Sequence, residues 1–172
     1  MIYVGIDPGV SGGIAGARRS GECAFAYRWC KAGEPDVDGA IVEVMRRVCH
    51  DWDIAACAIE RVWSSPQMGP VSAFTFGGAY HVARALAIQA QWLMVEPTPQ
   101  QWQDAMACRT GGDKSITKRA AQYMCPDRRV INATADAIIL AAYCRRVFLG
   151  EIQGPGHGKE GPRKKGRRKA SV

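Results

Sequence analysis

Short apolar runs and longer stretches of helical periodicity follow one another along the chain, and together they predict an α/β domain. Five short runs are typical of strands, at residues 2–6, 14–17, 23–29, 54–59 and 92–95. Apolar positions at helical spacing predict helices over residues 37–50, 77–90, 100–107, 113–124 and 133–148, with residues 67–72 as a loop. Asp36 is the expected N-cap of the first helix. This order predicts a three-layer fold, in which helices flank a five-stranded mixed sheet.

The C-terminal end has a different composition from the rest of the chain. We expect one folded domain over residues 1–150, followed by a Gly/Pro-rich hinge and a flexible basic tail over residues 151–172. Most of the net charge of +7 comes from basic tail residues: Lys159, Arg163, Lys164, Lys165, Arg167, Arg168 and Lys169. Such a tail is suited to binding a polyanion such as DNA. A merely solubilising terminus is the alternative.

Composition excludes several other classes of protein. No apolar run approaches the roughly 18 residues that span a bilayer, and the N-terminus lacks the features of a signal peptide. We therefore expect a cytoplasmic protein that does not enter a membrane. The seven cysteines form no CxxC pair and lie mostly among apolar neighbours, so we expect reduced, buried thiols rather than a zinc site.

Three acidic residues occupy positions where a catalytic site could form. Asp7 follows the first predicted strand, Glu60 follows the fourth, and Asp136 lies in the first turns of the last helix. If the two strands are parallel neighbours, their carboxyl ends place Asp7 and Glu60 at one edge of the sheet. Clustered carboxylates repel each other unless divalent cations neutralise them. For each acid alone, a solvated carboxylate at the end of an element is the alternative.

Several segments, in this order and at these intervals, carry a family resemblance. They are residues 6–13 (IDPGVSGG), 58–60 (AIE), 66–70 (PQMGP), 74–78 (FTFGG), 97–102 (PTPQQW) and 135–141 (ADAIILA). The set resembles the RuvC-like Holliday junction resolvases of the RNase H-like and retroviral integrase superfamily, over residues 1 to about 148. The middle segments look most similar to the bacteriophage and organellar branches, so a phage protein acting in the host-cell cytoplasm is our favoured interpretation. The resemblance implies an RNase H-like fold.

The resemblance also implies a reaction and its cofactor. Asp7, Glu60 and Asp136 would hold two Mg²⁺ ions, which activate water for attack on a DNA phosphodiester and stabilise the departing 3′ oxygen. Members of the family carry a fourth acidic or histidine ligand three or four residues before the last aspartate, where this chain has Ala133 and Asn132. Asn132 offers only a neutral carbonyl oxygen, so one ion would bind weakly, Mn²⁺ could substitute, or Asp127 could take the role.

Other residues are expected to contact a four-way junction. An aromatic residue near the active site wedges against bases in related enzymes, which singles out Phe74 and Phe76, although helix-core packing is the alternative. The further candidates for contacts to bases or phosphates are Arg61, Gln67, Lys114, Ser115, Lys118 and Arg119. By the same resemblance, small residues between Ala79 and Ala90 would build the interface of a homodimer, as paired nicks on a nearly two-fold symmetric junction require.

Three other functions are alternatives to junction resolution. A related nuclease could act on flaps or forks, and a catalytically weakened relative could bind DNA without cutting it. The opening IDPGVSGG segment also resembles the phosphate loop of actin-like ATPases and sugar kinases. Those proteins duplicate their core and need a second phosphate loop, for which 172 residues leave no room.

Overall fold

Five strands form a single mixed sheet. The computed structural model describes residues 1–30, 36–64 and 67–155, and its strands are β1 (Ile2–Asp7), β2 (Gly13–Arg18), β3 (Cys23–Arg28), β4 (Ile54–Ile59) and β5 (Leu93–Val95). Their order across the sheet is β3-β2-β1-β4-β5. The first three strands form an antiparallel meander, whereas β1, β4 and β5 are parallel. The predicted strands and the mixed sheet are therefore confirmed.

Five helices cover the two faces of this sheet. They are α1 (Val37–Asp51), α2 (Pro70–Gln89), α3 (Pro99–Ala105), α4 (Ser115–Met124) and α5 (Asn132–Phe148). One hydrophobic cluster joins α1 and α2 to one face, and a second cluster joins α3, α4 and α5 to the other. Asp36 caps α1, as predicted, by accepting a hydrogen bond from the Gly39 N–H at 2.9 Å. The three-layer α/β architecture is confirmed.

The alternation of side chains along β1 determines what faces each layer. Val4 and Ile6 point toward α1 and α2, whereas Tyr3 belongs to the cluster on the α5 side. Gly5 also faces α5, and a Cβ built there would lie 2.6 Å from the carbonyl carbon of Leu140. Only glycine allows this approach, so α5 packs directly against the backbone of β1. Asp7 ends β1 on this same face.

The start of α2 differs from the prediction. We expected a loop over residues 67–72 and a helix from Gly77, but α2 begins at Pro70. The Ala73 N–H already donates to the Gly69 carbonyl at 2.9 Å, because proline at the first helical position is pre-set for the helical φ angle. The pair Gly77-Gly78, which suggested a helix start, lies inside the helix.

The small residues of α2 have a different role from the predicted one. Ala79, Ala83 and Ala87 are fully buried in the cluster that α2 shares with α1 and the sheet. The prediction that these three alanines form a dimer interface is wrong, because their close packing is used within the protomer. Ala85, on another side of α2, is exposed.

The prediction that all seven cysteines are reduced and buried is wrong for some of them. Cys23 of β3 and Cys125, which follows α4, form a disulfide. Cys49 is exposed, whereas Cys57, Cys108 and Cys144 are buried as expected. The burial of Cys57 raises the pKa of its thiol to about 12. Separately, none of the described helices is long and apolar enough to cross a membrane.

Candidate active site

The three predicted acids come together at one end of the sheet. β1 and β4 pair in parallel with Ile6 opposite Ile59, and the Glu60 N–H donates to the Ile6 carbonyl at 3.0 Å. Asp7 and Glu60 therefore end neighbouring strands. Asp136 lies in the second turn of α5, the helix that packs on β1, and its charge raises the pKa of both other carboxyl groups. The parallel pairing of β1 with β4 therefore places Asp7 and Glu60 at one edge of the sheet, as predicted, and the three acids form the candidate site.

A tight loop holds the Asp7 side chain in position. The Gly9 N–H donates to Asp7 Oδ1 at 3.0 Å, and the Gly12 N–H donates to the Gly9 carbonyl at 2.7 Å. A Cβ built on Gly12 would lie 2.8 Å from the Asp7 carboxyl carbon, so this glycine leaves room for the side chain. On the backbone side, the Trp29 indole N–H donates to the Asp7 carbonyl at 2.8 Å. Trp29 was not identified from the sequence.

Burial makes Asp7 and Glu60 costly to ionise. Desolvation, together with the nearby Asp136 charge, raises the pKa of Asp7 from its ordinary 3.8 to about 6, against the opposing effect of the Gly9 hydrogen bond. Desolvation and the charge of Asp7 raise the pKa of Glu60 from 4.5 to about 7. Two carboxyl groups with raised pKa values at one sheet edge are characteristic of functional sites.

Two further residues act on this cluster. The indole N–H of Trp102, a fully buried α3 residue, donates to Glu60 Oε1 at 3.0 Å. Lys114 lies close enough for its positive charge to lower the pKa of both Asp7 and Glu60. We predicted Lys114 only as a contact to the DNA backbone. Trp102 lay inside a segment that carried the resemblance, but nothing in the sequence pointed to its hydrogen bond.

The chemistry of the acids suits a hard divalent cation, although their side chains are not arranged as a closed metal site. Within the described ranges, no three His, Cys, Asp or Glu side chains converge closely enough to hold an ion as they stand. Asp136 Oδ1 is nevertheless buried without a hydrogen-bond partner among the described residues. An unpartnered buried carboxylate oxygen beside two carboxyl groups with raised pKa values would gain from a cation.

The two candidates for a fourth ligand lie at the start of α5 and in the connection before it. Asn132 is the first residue of α5, one helical turn before Asp136, and it is exposed. Asp127 is also exposed, in the connection between α4 and α5. Neither residue appears among the groups that shift the pKa of Asp7 or Glu60.

The predicted aromatic residues differ in their surroundings. Phe76 is partly buried beside the Asp7 loop, where a Cβ built on Gly9 would lie 3.7 Å from its ring. Phe74 is 86% exposed, so the alternative of helix-core packing does not apply to it. Both lie in the first turns of α2. Arg61 and Gln67 are exposed, and the Arg61 N–H donates to the Pro97 carbonyl at 2.8 Å.

The remaining candidates for DNA contacts lie on α4. Ser115, Lys118 and Arg119 line an open surface groove, which they share with Gln122 and Tyr123. Tyr123 is 89% exposed and was not identified from the sequence. The tail candidates from Arg163 to Lys169 lie outside the described residues.

The chain is similar to known proteins in its structure but not detectably in its sequence. No protein-family model and no curated protein matches the chain. RuvC from T. thermophilus in complex with a Holliday junction substrate superposes with a TM-score of 0.68 and 19% identity. The chain has a RuvC-like fold. A second structure of Thermus thermophilus RuvC gives a TM-score of 0.64 and 18% identity.

The likeness to RuvC extends over nearly the whole chain. Both superpositions cover 90% of this chain and 100% of the RuvC chain. The RuvC-like fold therefore includes all three layers and the sheet edge that carries the acids, and it confirms the RNase H-like fold expected from the resemblance. At this identity, function has to be argued from the chain's own residues.

Proposed function

We propose that this protein is a structure-specific endonuclease that resolves four-way DNA junctions by metal-dependent phosphodiester hydrolysis. The observation that supports this most is the meeting of Asp7, Glu60 and Asp136 at one sheet edge of a RuvC-like fold. The RuvC structure that superposes best of the two was determined with a Holliday junction. Carboxylates can hold the divalent ions that activate a water molecule for hydrolysis of a phosphodiester, so no nucleophilic side chain is needed.

Each residue of the cluster has a proposed role. Asp7, Glu60 and Asp136 would hold two Mg²⁺ ions, which supply Lewis-acid activation to the phosphate and the attacking water when bound. The Gly9 N–H and the Trp102 indole fix the orientations of the Asp7 and Glu60 carboxylates. Lys114 balances part of the negative charge that faces the phosphate.

The direct test is cleavage of a synthetic mobile four-way junction in Mg²⁺, compared with a linear duplex of the same sequence. Symmetric paired nicks in the junction alone would support the proposal. Asp7→Asn and Glu60→Gln should abolish cleavage and leave junction binding intact or tighter, since each removes a negative charge near phosphates. The exposed Glu22→Gln is a control that should cut normally. Wild-type rates in both site variants would refute the proposed site.

The same assay distinguishes the alternative functions. Cleavage of flaps or forks in preference to junctions would indicate a related nuclease with another branched substrate. Tight junction binding without cleavage in Mg²⁺ or Mn²⁺ would indicate a weakened relative.

Asn132 is tested by its effect on metal dependence, because an acid at this position would add negative charge to the candidate site. If the Asn132 side chain faces the ions, Asn132→Asp should lower the Mg²⁺ concentration for half-maximal rate and Asn132→Ala should raise it.

We also propose that the active species is a homodimer. α2 presents a stripe at alternating spacings of three and four residues: Val71, Phe74, Gly78, His81, Ala85 and Ile88. Val71 and Phe74 are 80% and 86% exposed. The small Ala85 is exposed and Gly78 is half-buried beside Asp38 of α1, so both leave room for a second helix. This spacing is that of a helix–helix seam. A two-fold pairing of this stripe would provide two active sites for a junction with near two-fold symmetry.

The proposed dimer is tested by substitutions on α2 that leave the three acids unchanged. Ile88→Asp should convert the protein to a monomer in light scattering and abolish paired nicking, because it buries a charge in the seam. Gln89→Asp, an exposed neighbour outside the stripe, should remain dimeric. A wild-type protein that is monomeric both alone and on a junction would exclude this assembly.

The basic tail is proposed as a non-specific DNA contact. Removing residues 159–172 should weaken binding to linear duplex and junction alike. The slope of log affinity against log salt should fall by at most about 6, at roughly 0.9 per phosphate contact. An unchanged slope would show that the tail does not contact DNA.

A further inference from the structure

A groove along the open edge of the sheet carries a second concentration of positive charge. β3 is an edge strand, and the groove beside it lies between α1, β3 and the start of α5. Four arginines line it: Arg28, Arg47, Arg128 and Arg129. No acidic residue is among the described residues that line it. We refer to this surface as the arginine groove.

Most of this charge is available to an external partner. Across the described ranges, Arg28, Arg128 and Arg129 form no ion pair with a carboxylate, in contrast to Arg46, Arg84 and Arg109 elsewhere. Arg28, Arg128 and Arg129 are all exposed. Arg47, on the opposite wall, pairs with Asp51 at 3.4 Å. Three unneutralised guanidinium groups in one groove attract an anion more strongly than scattered surface charges do.

The walls of the arginine groove are held in place. The Arg128 guanidinium donates to the Ala24 carbonyl of β3 at 3.4 Å, and the nearby Cys23–Cys125 disulfide ties the same connection to β3. On the other side, the Arg47 guanidinium lies 4.9 Å from the centre of the Tyr27 ring. The positioned guanidinium groups of Arg47 and Arg128 therefore lose less conformational entropy when they bind an anion.

The arginine groove begins near the acids. Arg28 pairs with Gly13, and Gly13 pairs with Asp7, so Arg28 lies two strands from Asp7. Two strand spacings are about 10 Å, which corresponds to roughly three base pairs of duplex. From Arg28 to Ala24, where Arg128 is anchored, β3 extends about 13 Å, enough to face about four phosphates of one strand.

We propose that the arginine groove binds the phosphate backbone of a duplex arm of the substrate, a few base pairs from the cleaved bond. This inference rests on the proposed function for the identity of the DNA, and it assigns a surface that is separate from both the acids and the α4 groove. Its contacts are to phosphates, so they position the arm without reading its sequence. Charged residues also protect edge strands from aggregation, a role that would require no DNA contact.

The test compares two triple variants of the full chain with equal changes in net charge. The groove variant is Arg28→Gln, Arg128→Gln and Arg129→Gln. The control variant is Arg19→Gln, Arg46→Gln and Arg109→Gln, which removes three exposed arginines outside the groove. Affinity for a four-way junction and for a linear duplex is measured by fluorescence anisotropy in EDTA, between 50 and 200 mM salt, after thermal melting has shown that both variants are folded.

We expect the log–log salt slope of the groove variant to fall by about 2.7, at roughly 0.9 per lost phosphate contact. Over a fourfold rise in salt, the wild type would then lose about 40-fold more affinity than the variant. The control should keep the wild-type slope, and lysines at the three groove positions should largely restore it. Equal slopes for the groove and control variants would overturn the proposal.

Phosphate ethylation tests where on the DNA the arginine groove makes its contacts. Ethylation of single phosphates should interfere with wild-type binding about three to seven base pairs from the nick, and this interference should disappear in the groove variant. Interference unchanged by the groove substitutions would also overturn the proposal. If no branched DNA is cut but the slope still depends on the groove, the proposed function fails and the DNA-binding groove stands. If branched DNA is cut normally but the groove and control variants have equal salt slopes, the proposed function stands and only the proposal for the arginine groove fails.

Discussion

Replacing Asp7 with asparagine should stabilise the metal-free protein at pH 8, although it removes a proposed catalytic group. Burial raises the pKa of this carboxyl from 3.8 to about 6. Between these two values the folded state binds more protons than the unfolded state, so this group lowers stability as pH rises. At 1.36 kcal/mol per pKa unit, the cost at pH 8 is at most about 3 kcal/mol. Asparagine avoids this cost, and its side-chain oxygen can still accept from the Gly9 N–H.

The measurement is thermal melting in EDTA at pH 8 and pH 4. At about 2 to 4 °C per kcal/mol for a chain of this size, Asp7→Asn should melt up to about 10 °C above wild type at pH 8. At pH 4, where the native carboxyl is protonated, the difference should fall below about 1 kcal/mol. Adding Mg²⁺ at pH 8 should raise the Tm of wild type and leave that of Asp7→Asn nearly unchanged.

The exposed Glu22→Gln is the control, and its Tm should match the wild-type Tm at both pH values. An Asp7→Asn variant that is less stable than wild type by the same amount at both pH values would refute the reasoning. Such a result would mean that the Asp7 carboxylate is well compensated in the folded protein without a cation. The proposed conflict between burial and ionisation would then be absent.

Three further contacts make separate predictions. Trp102→Phe should raise the Mg²⁺ concentration for half-maximal cleavage roughly tenfold, because it removes the hydrogen bond that orients Glu60, a proposed metal ligand. Trp52→Phe, whose indole N–H is buried without a partner among the described residues, should not. Lys114→Gln should move the acidic limb of the pH–rate profile upward, since its charge lowers the pKa of both strand-end carboxyl groups, whereas Lys118→Gln should leave it in place. Gly5→Ala should lower the Tm by several degrees, as overpacking typically costs about 1 to 3 kcal/mol. Equal metal dependence in both tryptophan variants, an unshifted profile or an unchanged Tm would contradict the corresponding contact.

The regular elements were predictable because their signals are local. β4 covers residues 54–59 as predicted, since a compact apolar run can be buried on both faces of a central strand. The start of α2 was missed because Gly77-Gly78 has the local appearance of a boundary, since glycine has a low helix propensity. The helix nevertheless begins at Pro70, whose fixed φ angle suits the first helical position, and continues through both glycines.

The candidate site was predictable only where chain geometry brings its residues together. A strand-end rule and a family resemblance located Asp7 and Glu60, because parallel neighbours end at the same edge. Trp102 was missed because its hydrogen bond joins two layers and leaves no periodic signal in the sequence. The arginine groove was missed for a similar reason, since its charges come from β3, α1 and the connection before α5.

Gly5 connects the packing of the fold to the geometry of the acids. Asp7 and Glu60 are tied to each other through the pairing of β1 with β4, including the Glu60 N–H bond to Ile6. Asp136 has no such tie, because it depends on how closely α5 lies on β1. A methyl group at Gly5 would meet the α5 backbone and move the helix, while the strand pairing would hold the other two acids in place. The distance from Asp136 to its partners is therefore set by a residue that carries no side chain.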